Sequence, residues 1–289
     1  MEIKATFGIM IALQVNLLVF ALISAYFIVP IRASPTATAL NAVDFVDLNN
    51  GWAVGDSAFI LHTTDGGESW SLQVNPFSGD PYQSFGDVKF IDLNNGWVVG
   101  TQGVILHTTD GGNSWSVQTS GTTRNLRTVD FVDTSHGWAA SGGVIETEVI
   151  SHTANGGDTW ITQLSIVGCG FSSLKFIDAN KGWAVGSGRI WHTTDGGLNW
   201  NVQLDSSDLF EGIDFIDLNN GWVVSGFGEI LYTSDSGNTW NLQFSLIYLS
   251  HGIPEVPFGT VVSSLIMCMS LVGFLKFRRS RQNFRFNKD

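Results

Sequence analysis

Four histidines, His62, His107, His152 and His192, recur at one register of this sequence, with Tyr232 in the fifth place. Imidazoles at a shared position are a donor set for zinc, provided that they converge within about 2 Å of one ion. Five aspartates recur too: Asp47, Asp92, Asp133, Asp178 and Asp217. Oxygen-rich Asp-Asn-Gly loops suit calcium, but none has the alternating spacing of an EF-hand loop, and an Asx-turn uses one Asp in the same way. Glu146 and Glu148 form a local carboxylate pair; glycoside hydrolysis needs two such groups about 5–9 Å apart across a cleft. Cys169 stands alone in the body and Cys268 lies in an apolar run, so neither has the neighbours of a nucleophile or a metal site.

These residues sit in a chain of 289 residues with 33 glycines, 11 tryptophans and 6 prolines, and only 14% charged residues. Such a mixture suits many short strands joined by tight turns. The net charge of -12 is uneven. Between Thr36 and Ile253 stand 23 acidic and 6 basic residues, whereas Lys276 to Asp289 holds six basic residues and one acidic. So acidic a body would be repelled by phosphate backbones, which argues against nucleic acid as a partner.

The histidines and aspartates recur because the whole body repeats. Gly-Trp occurs at Gly51-Trp52, Gly96-Trp97, Gly137-Trp138, Gly182-Trp183 and Gly221-Trp222. A second tryptophan follows each, at Trp70, Trp115, Trp160, Trp200 and Trp240. The period of 39 to 45 residues is that of one propeller blade. Each unit predicts four strands, the first carrying Phe45, Phe90, Phe131, Phe176 or Phe215 and ending at the recurring Asp. Asn-Gly, a strong hairpin signal, links the first strand to the second in three copies. The expected fold is therefore all-β: a five-bladed β-propeller of four-stranded blades over residues 40–246, closing blade one onto blade five without strand exchange. In such a ring the third strands lie far from the axis. The histidines are then expected to pack locally, and no metal or cofactor is expected.

The third-to-fourth turn carries the most specific motif, Thr63-Thr64-Asp65-Gly66-Gly67-Glu68-Ser69-Trp70 and its copies. Asp65, Asp110, Asn155, Asp195 and Asp235 occupy its acidic place, and Trp70, Trp115, Trp160, Trp200 and Trp240 close it. The acidic side chain can accept N–H groups of its own turn, and the second glycine permits a positive φ. These turns resemble the Asp-box, or bacterial neuraminidase, repeat. The longer pattern Phe-x-Asp-x-x-x-Gly-Trp-x-Val-Gly, followed by Thr-x-Asp-Gly-Gly-x-x-Trp, is similar to that of the photosystem II assembly and stability factor family. That resemblance implies a propeller acting as a protein-binding assembly factor, although this chain has five repeats where described members have seven blades. The sialidase side of the resemblance implies an arginine triad and a nucleophilic tyrosine. The body holds only Arg124, Arg127 and Arg189 as arginines and lacks a Phe-Arg-Ile-Pro motif.

Both ends read as membrane-directed. Residues 1–39 carry an apolar run from Ala5 to Ile31 and the small-residue stretch Ala33 to Ala39, expected to act as a signal peptide or an N-terminal anchor. Residues 247–257 form a linker with a Pro254-Glu255 motif, 258–277 a transmembrane helix, and 278–289 a basic cytoplasmic tail by the positive-inside rule. This ending resembles the PEF-type sorting signals of archaea, which implies clipping by a sortase-like enzyme; the same residues also read as a permanent anchor. Either way the body is expected at the cell surface, extracellular and membrane-anchored.

Recognition on a rigid scaffold falls to what does not repeat. Residues 74–87 form a long first connection containing Tyr82, and the third repeat inserts Glu146-Thr147-Glu148-Val149. The expected binding residues, on the face opposite the Asp boxes, are Tyr82, Arg124, Arg127, Glu146, Glu148, Phe171 and Phe210. The expected function is a non-catalytic surface module binding a protein or an envelope glycan. The competing reading is a glycan-binding protein or glycoside hydrolase of sialidase-like fold.

Overall fold

Runs of β-branched and aromatic residues broken every few positions by Asn-Gly and Asp-Gly-Gly can only make short hairpin-linked strands. The computed structural model describes residues 39–143 and 146–246 and shows five four-stranded antiparallel sheets, each in sequential order. Blade one holds β1 (Leu40–Phe45), β2 (Gly51–Gly55), β3 (Ile60–Thr63) and β4 (Ser71–Leu72). Blade two holds β5 (Phe85–Phe90), β6 (Gly96–Gly100), β7 (Val104–Thr108) and β8 (Ser116–Thr119). Blade three holds β9 (Leu126–Phe131), β10 (Gly137–Ser141), β11 (Thr147–Thr153) and β12 (Ile161–Val167). Blade four holds β13 (Ser173–Phe176), β14 (Gly182–Gly186), β15 (Arg189–Thr193) and β16 (Asn201–Asp205). Blade five holds β17 (Phe210–Phe215), β18 (Gly221–Ser225), β19 (Glu229–Thr233) and β20 (Asn241–Ser245). The expected terminal signal or anchor, linker, transmembrane helix and basic tail fall on residues outside those described.

Neighbouring blades are glued by the repeated aromatics. The Trp of one second strand stacks on the Phe of the next blade: Trp52 on Phe90, Trp97 on Phe131, Trp138 on Phe176 and Trp183 on Phe215, at 3.5 to 3.7 Å between centroids. The Asp-box Trp meets the same Phe edge-on, as Trp115 meets Phe90. Each of these junctions thus packs three aromatic rings together, the Asp-box Trp being buried at Trp115 and Trp160 and half-buried at Trp200 and Trp240. These junctions, rather than the sheets themselves, hold most of the apolar surface. The expected closing junction differs. β1 and β17 make at most marginal contact, and Phe45 is 43% exposed where its four counterparts are nearly sealed.

The Asp boxes are self-contained hydrogen-bond knots. The Thr63 hydroxyl donates to Asp65 Oδ1 (2.7 Å) and accepts from the Gly67 N–H (2.9 Å). Asp65 accepts from the Ser69 N–H and hydroxyl. Gly67 sits at φ +92°, where a side chain would strain the turn. The bonds from Ser69 and Thr63 hold the Asp65 carboxyl down to about 2. In the third blade, Asn155 Oδ1 accepts from the Thr159 N–H and its Nδ2 donates to the Thr159 hydroxyl. A hydroxyl can turn to donate instead. Asn155→Asp should therefore change the unfolding free energy by no more than about 0.5 kcal/mol, measured by chemical denaturation.

The first-to-second turns explain the other recurring aspartate. Asp47 lies just past β1, accepts from the Asn49 and Asn50 N–H groups, and takes the Asn50 amide on both oxygens. Asp92 and Asp217 repeat this arrangement. The third-repeat insertion is mostly strand: Thr147 pairs with Val167 and Glu148 with Ile166, extending the outer hairpin.

Candidate binding face

Asp boxes and first-to-second turns occupy one end of each sheet, so second-to-third and fourth-to-first connections emerge at the other. These connections interlock. The Ala58 N–H donates to the Gln83 carbonyl, the Gly142 N–H donates to the Asn125 carbonyl, and the Gln102 N–H donates to Asn125 Oδ1.

The inner strands place a polar ring around the axis. In β1, β5, β9 and β17 the register with the second strand skips one residue: Asn41, Gly86, Arg127 and Glu211. A bulge re-aims the residue it adds. All four, with Ser172, line one axial cavity of about 520 Å³. Arg127 donates there to Glu211, two blades away, at 3.3 Å. Arg127 is therefore an inner-strand residue facing the axis, outside the fourth-to-first connection that precedes β9.

Arg124 does lie in that connection, and it pairs with Glu146 of the third-blade insertion. Arg124, Glu146 and Glu148 line one pocket; Arg127, Glu211, Phe171 and Phe210 line another; Gly142 and Gly143 border both. Gly142 is required by close approach, since a methyl there would come within 2.7 Å of the Arg127 stem and the Phe171 carbonyl. Two salt-linked arginines thus flank a two-glycine ridge. Such pairs can exchange their carboxylates for those of a partner through planar guanidinium bonds.

The remaining candidates separate from this cluster. Tyr82 is 86% exposed, its N–H held by Asp80, and it lines none of these pockets. Phe171 and Phe210 touch the pocket but are fully buried, as is Glu148 nearly so at 3% exposure. Phe171 and Phe210 occupy the same inner-strand place as Leu40, Phe85 and Leu126, five residues before the repeat Phe. Their rings are core packing.

Below the mouth, Asp44, Lys89, Asp130, Lys175 and Asp214 occupy one position in successive blades, alternating in sign. Lys89 pairs with Asp44 and Lys175 with Asp214. The Phe90 N–H donates to Asp44 and the Phe176 N–H to Asp130, both at 2.7 Å. Burial pushes Asp130 upward and Asp87 up to about 7, although backbone N–H groups on both oppose this. The sequence reading missed Asp87 and Glu211, which stand out only once the inner-strand bulges are aligned.

The histidines stack on tryptophans of their own blades, His62 on Trp52 at 4.5 Å and His107 on Trp97 at 4.6 Å. Burial pushes all four below their ordinary value.

Residues 30–120 match the family model described as Photosynthesis system II assembly factor YCF48. No curated protein matches the chain. Among solved structures, the chain is similar to one titled YCF48 bound to D1 peptide, with 23% identity, 72% of this chain and 83% of that one covered, and a TM-score of 0.42. For YCF48 from Cyanidioschyzon merolae the values are 20%, 72%, 86% and 0.43. A GH74 enzyme of Niastella koreensis gives 15% identity and a TM-score of 0.59, with 71% of this chain and 38% of the enzyme covered. That likeness shows a shared propeller fold alone. Residues 30–120, which include blades one and two, are thus similar to the YCF48 family model, and they sit in a chain whose described residues form five propeller blades.

Proposed function

We propose that this chain is a non-catalytic binding or assembly module, displayed outside the cell by its terminal segments, which captures a protein partner on the face opposite the Asp boxes. The observation carrying this reading is the pair of salt-linked arginines, Arg124 with Glu146 and Arg127 with Glu211, on either side of Gly142-Gly143. They are two of six basic residues in an acidic body, so they act at contact rather than by long-range steering. The match of residues 30–120 to an assembly-factor family supports a protein partner. Against hydrolysis stands the state of the local carboxylates: Arg124 holds Glu146, and Glu148 is buried beneath Gly143.

The test uses the full chain as bait on solubilised membranes. Arg124→Ala with Arg127→Ala should abolish capture of a specific protein while leaving the melting temperature unchanged, because partly exposed ion pairs contribute about 0–1 kcal/mol each. Glu68→Ala with Asn113→Ala, on the Asp-box face, should leave capture intact. Equal loss from both faces, or from neither, would refute the assignment. Arginine-dependent binding to an envelope glycan, with no protein captured, would favour the glycan reading.

A further inference from the structure

The axial cavity exists because one tier of the inner strands is made almost entirely of small residues. Two positions before the ring of Asp44, Lys89, Asp130, Lys175 and Asp214, these strands carry Ala42, Asp87, Thr128, Ser173 and Gly212. No register shift falls between the two positions, and residues two apart on a strand share a face. Both tiers therefore turn to the following blade: the Phe90 N–H donates to Asp44 in the lower tier, and the Val129 N–H to Asp87 in the upper. Four of the five upper residues are Ala, Thr, Ser and Gly, and the space they leave is the cavity of about 520 Å³. That volume lies in the range of small-molecule sites, roughly 300–1,000 Å³. Asp87 is the one ionisable side chain of its tier.

The cations around this cavity serve every carboxylate but one. At the mouth Arg127 holds Glu211; in the lower tier Asp44 has Lys89, Asp214 has Lys175, and both lysines act on Asp130. Asp87 makes no ion pair with any described residue. It accepts instead from the Val88 N–H on Oδ1, the Val129 N–H on Oδ2 and the Thr128 hydroxyl. A carboxylate offers about four acceptor positions, so about one is left. Desolvation with no cation to offset it, and then the Asp130 charge, pushes this carboxyl up to about 7. Farther round the same cavity, the Ser172 and Ser173 hydroxyls bond to no described residue.

We propose that the axial cavity is a binding site for one primary ammonium group, held by Asp87 on one wall and by the Ser172 and Ser173 hydroxyls two blades away. The free positions select this cation among others. An ammonium carries three N–H donors, and here it meets one carboxylate position and two hydroxyls. A guanidinium gains its advantage from a two-bond fork, for which Asp87 has too few positions left. A quaternary ammonium is recognised by aromatic faces, and no residue lining the cavity is aromatic. Calcium takes roughly six to eight oxygens, and among the described residues no group of three His, Cys, Asp or Glu side chains could hold a metal. The ligand is thus an alkylammonium, either a lysine side chain offered by a protein or a free amine. The first source rests on the reading of the mouth as a capture face; the site itself does not.

The test titrates the full chain in detergent with Nα-acetyl-lysine methylamide at constant salt, binding being followed on the ligand by saturation-transfer NMR. The parent should bind this compound in preference to its norleucine and arginine counterparts. Ser173→Val fills the cavity without touching Asp87, and Asp87→Asn removes the charge. Each should weaken binding by about tenfold or more, the scale of one hydrogen bond to a charged group. From pH 8 to pH 6 the parent's affinity should fall about tenfold as Asp87 takes up its proton, and that of Asp87→Asn should stay flat. No binding by the parent, undiminished binding by either variant, or an equal response to the arginine or norleucine compound would overturn the proposal. So would a pH slope that survives in Asp87→Asn, which would belong to Asp130. The source is read separately. If the lysine compound displaces the protein captured from solubilised membranes, the ammonium is that protein's; if it binds and leaves capture intact, the site takes a free amine.

Discussion

Replacing Trp97 with alanine should lower the unfolding free energy by about 3–5 kcal/mol, the range for deleting a large buried ring. Trp97 is fully buried between two rings, Phe131 of the next blade at 3.6 Å and His107 of its own at 4.6 Å. Its Nε1 donates to the Gly156 carbonyl at 3.1 Å, so truncation also leaves that acceptor with one bond fewer. Trp115, edge-on to Phe90 and 7% exposed, should show a loss in the same range. Asp110→Ala should cost less, about 1 kcal/mol, because it removes turn bonds at a solvated site and empties no core. Denaturant midpoints for the three variants check this order. A Trp97→Ala chain that unfolds at the parent midpoint would mean that the stacked junctions are not what holds the blades together.

The junctions were legible in the sequence because each one reuses the same residue types. Gly-Trp, the repeat Phe and the Asp box recur in kind as well as in place, so a period could be read by eye. Phe171 and Phe210 were misread for the opposite reason. Their position recurs as Leu40, Phe85, Leu126, Phe171 and Phe210, any large apolar side chain serving equally well to fill a core pocket. Arg127 and Glu211 were hidden by a register effect. A bulge breaks the alternation that would otherwise assign each inner-strand residue to a face, so the axial ring cannot be derived from period two alone. The open seam was invisible for a deeper reason. Five in-phase repeats carry both halves of a fifth junction whether or not it is made.

Asp87 should make the stability of this propeller depend on pH in a direction opposite to its histidines. Asp87 is part-buried in the wall of the axial cavity, accepting the Val88 and Val129 N–H groups, and desolvation there, with the nearby Asp130 charge adding to it, pushes its carboxyl up from 3.8 to about 7. Between those values the folded chain binds a proton that the unfolded chain releases. This contribution is therefore full below pH 3.8 and is lost as the pH rises through 7, amounting to about 4 kcal/mol for a shift of about three units. The four stacked histidines have folded values below 6.5, so their contribution is present above 6.5 and declines as the pH falls. The two slopes overlap between pH 4 and 6.5, and the parent curve alone cannot separate them. Asp87→Asn removes one slope and keeps the other. Its absolute stability is not the readout, since an amide accepts the two N–H groups less well than a carboxylate. The readout is the difference between variant and parent in urea unfolding free energy, followed from pH 4 to pH 8. That difference should move in favour of the variant by up to about 4 kcal/mol, with its steepest change below pH 7. A flat difference would show that Asp87 ionises in the fold as it does in the unfolded chain, and that water reaches the carboxyl from the axis.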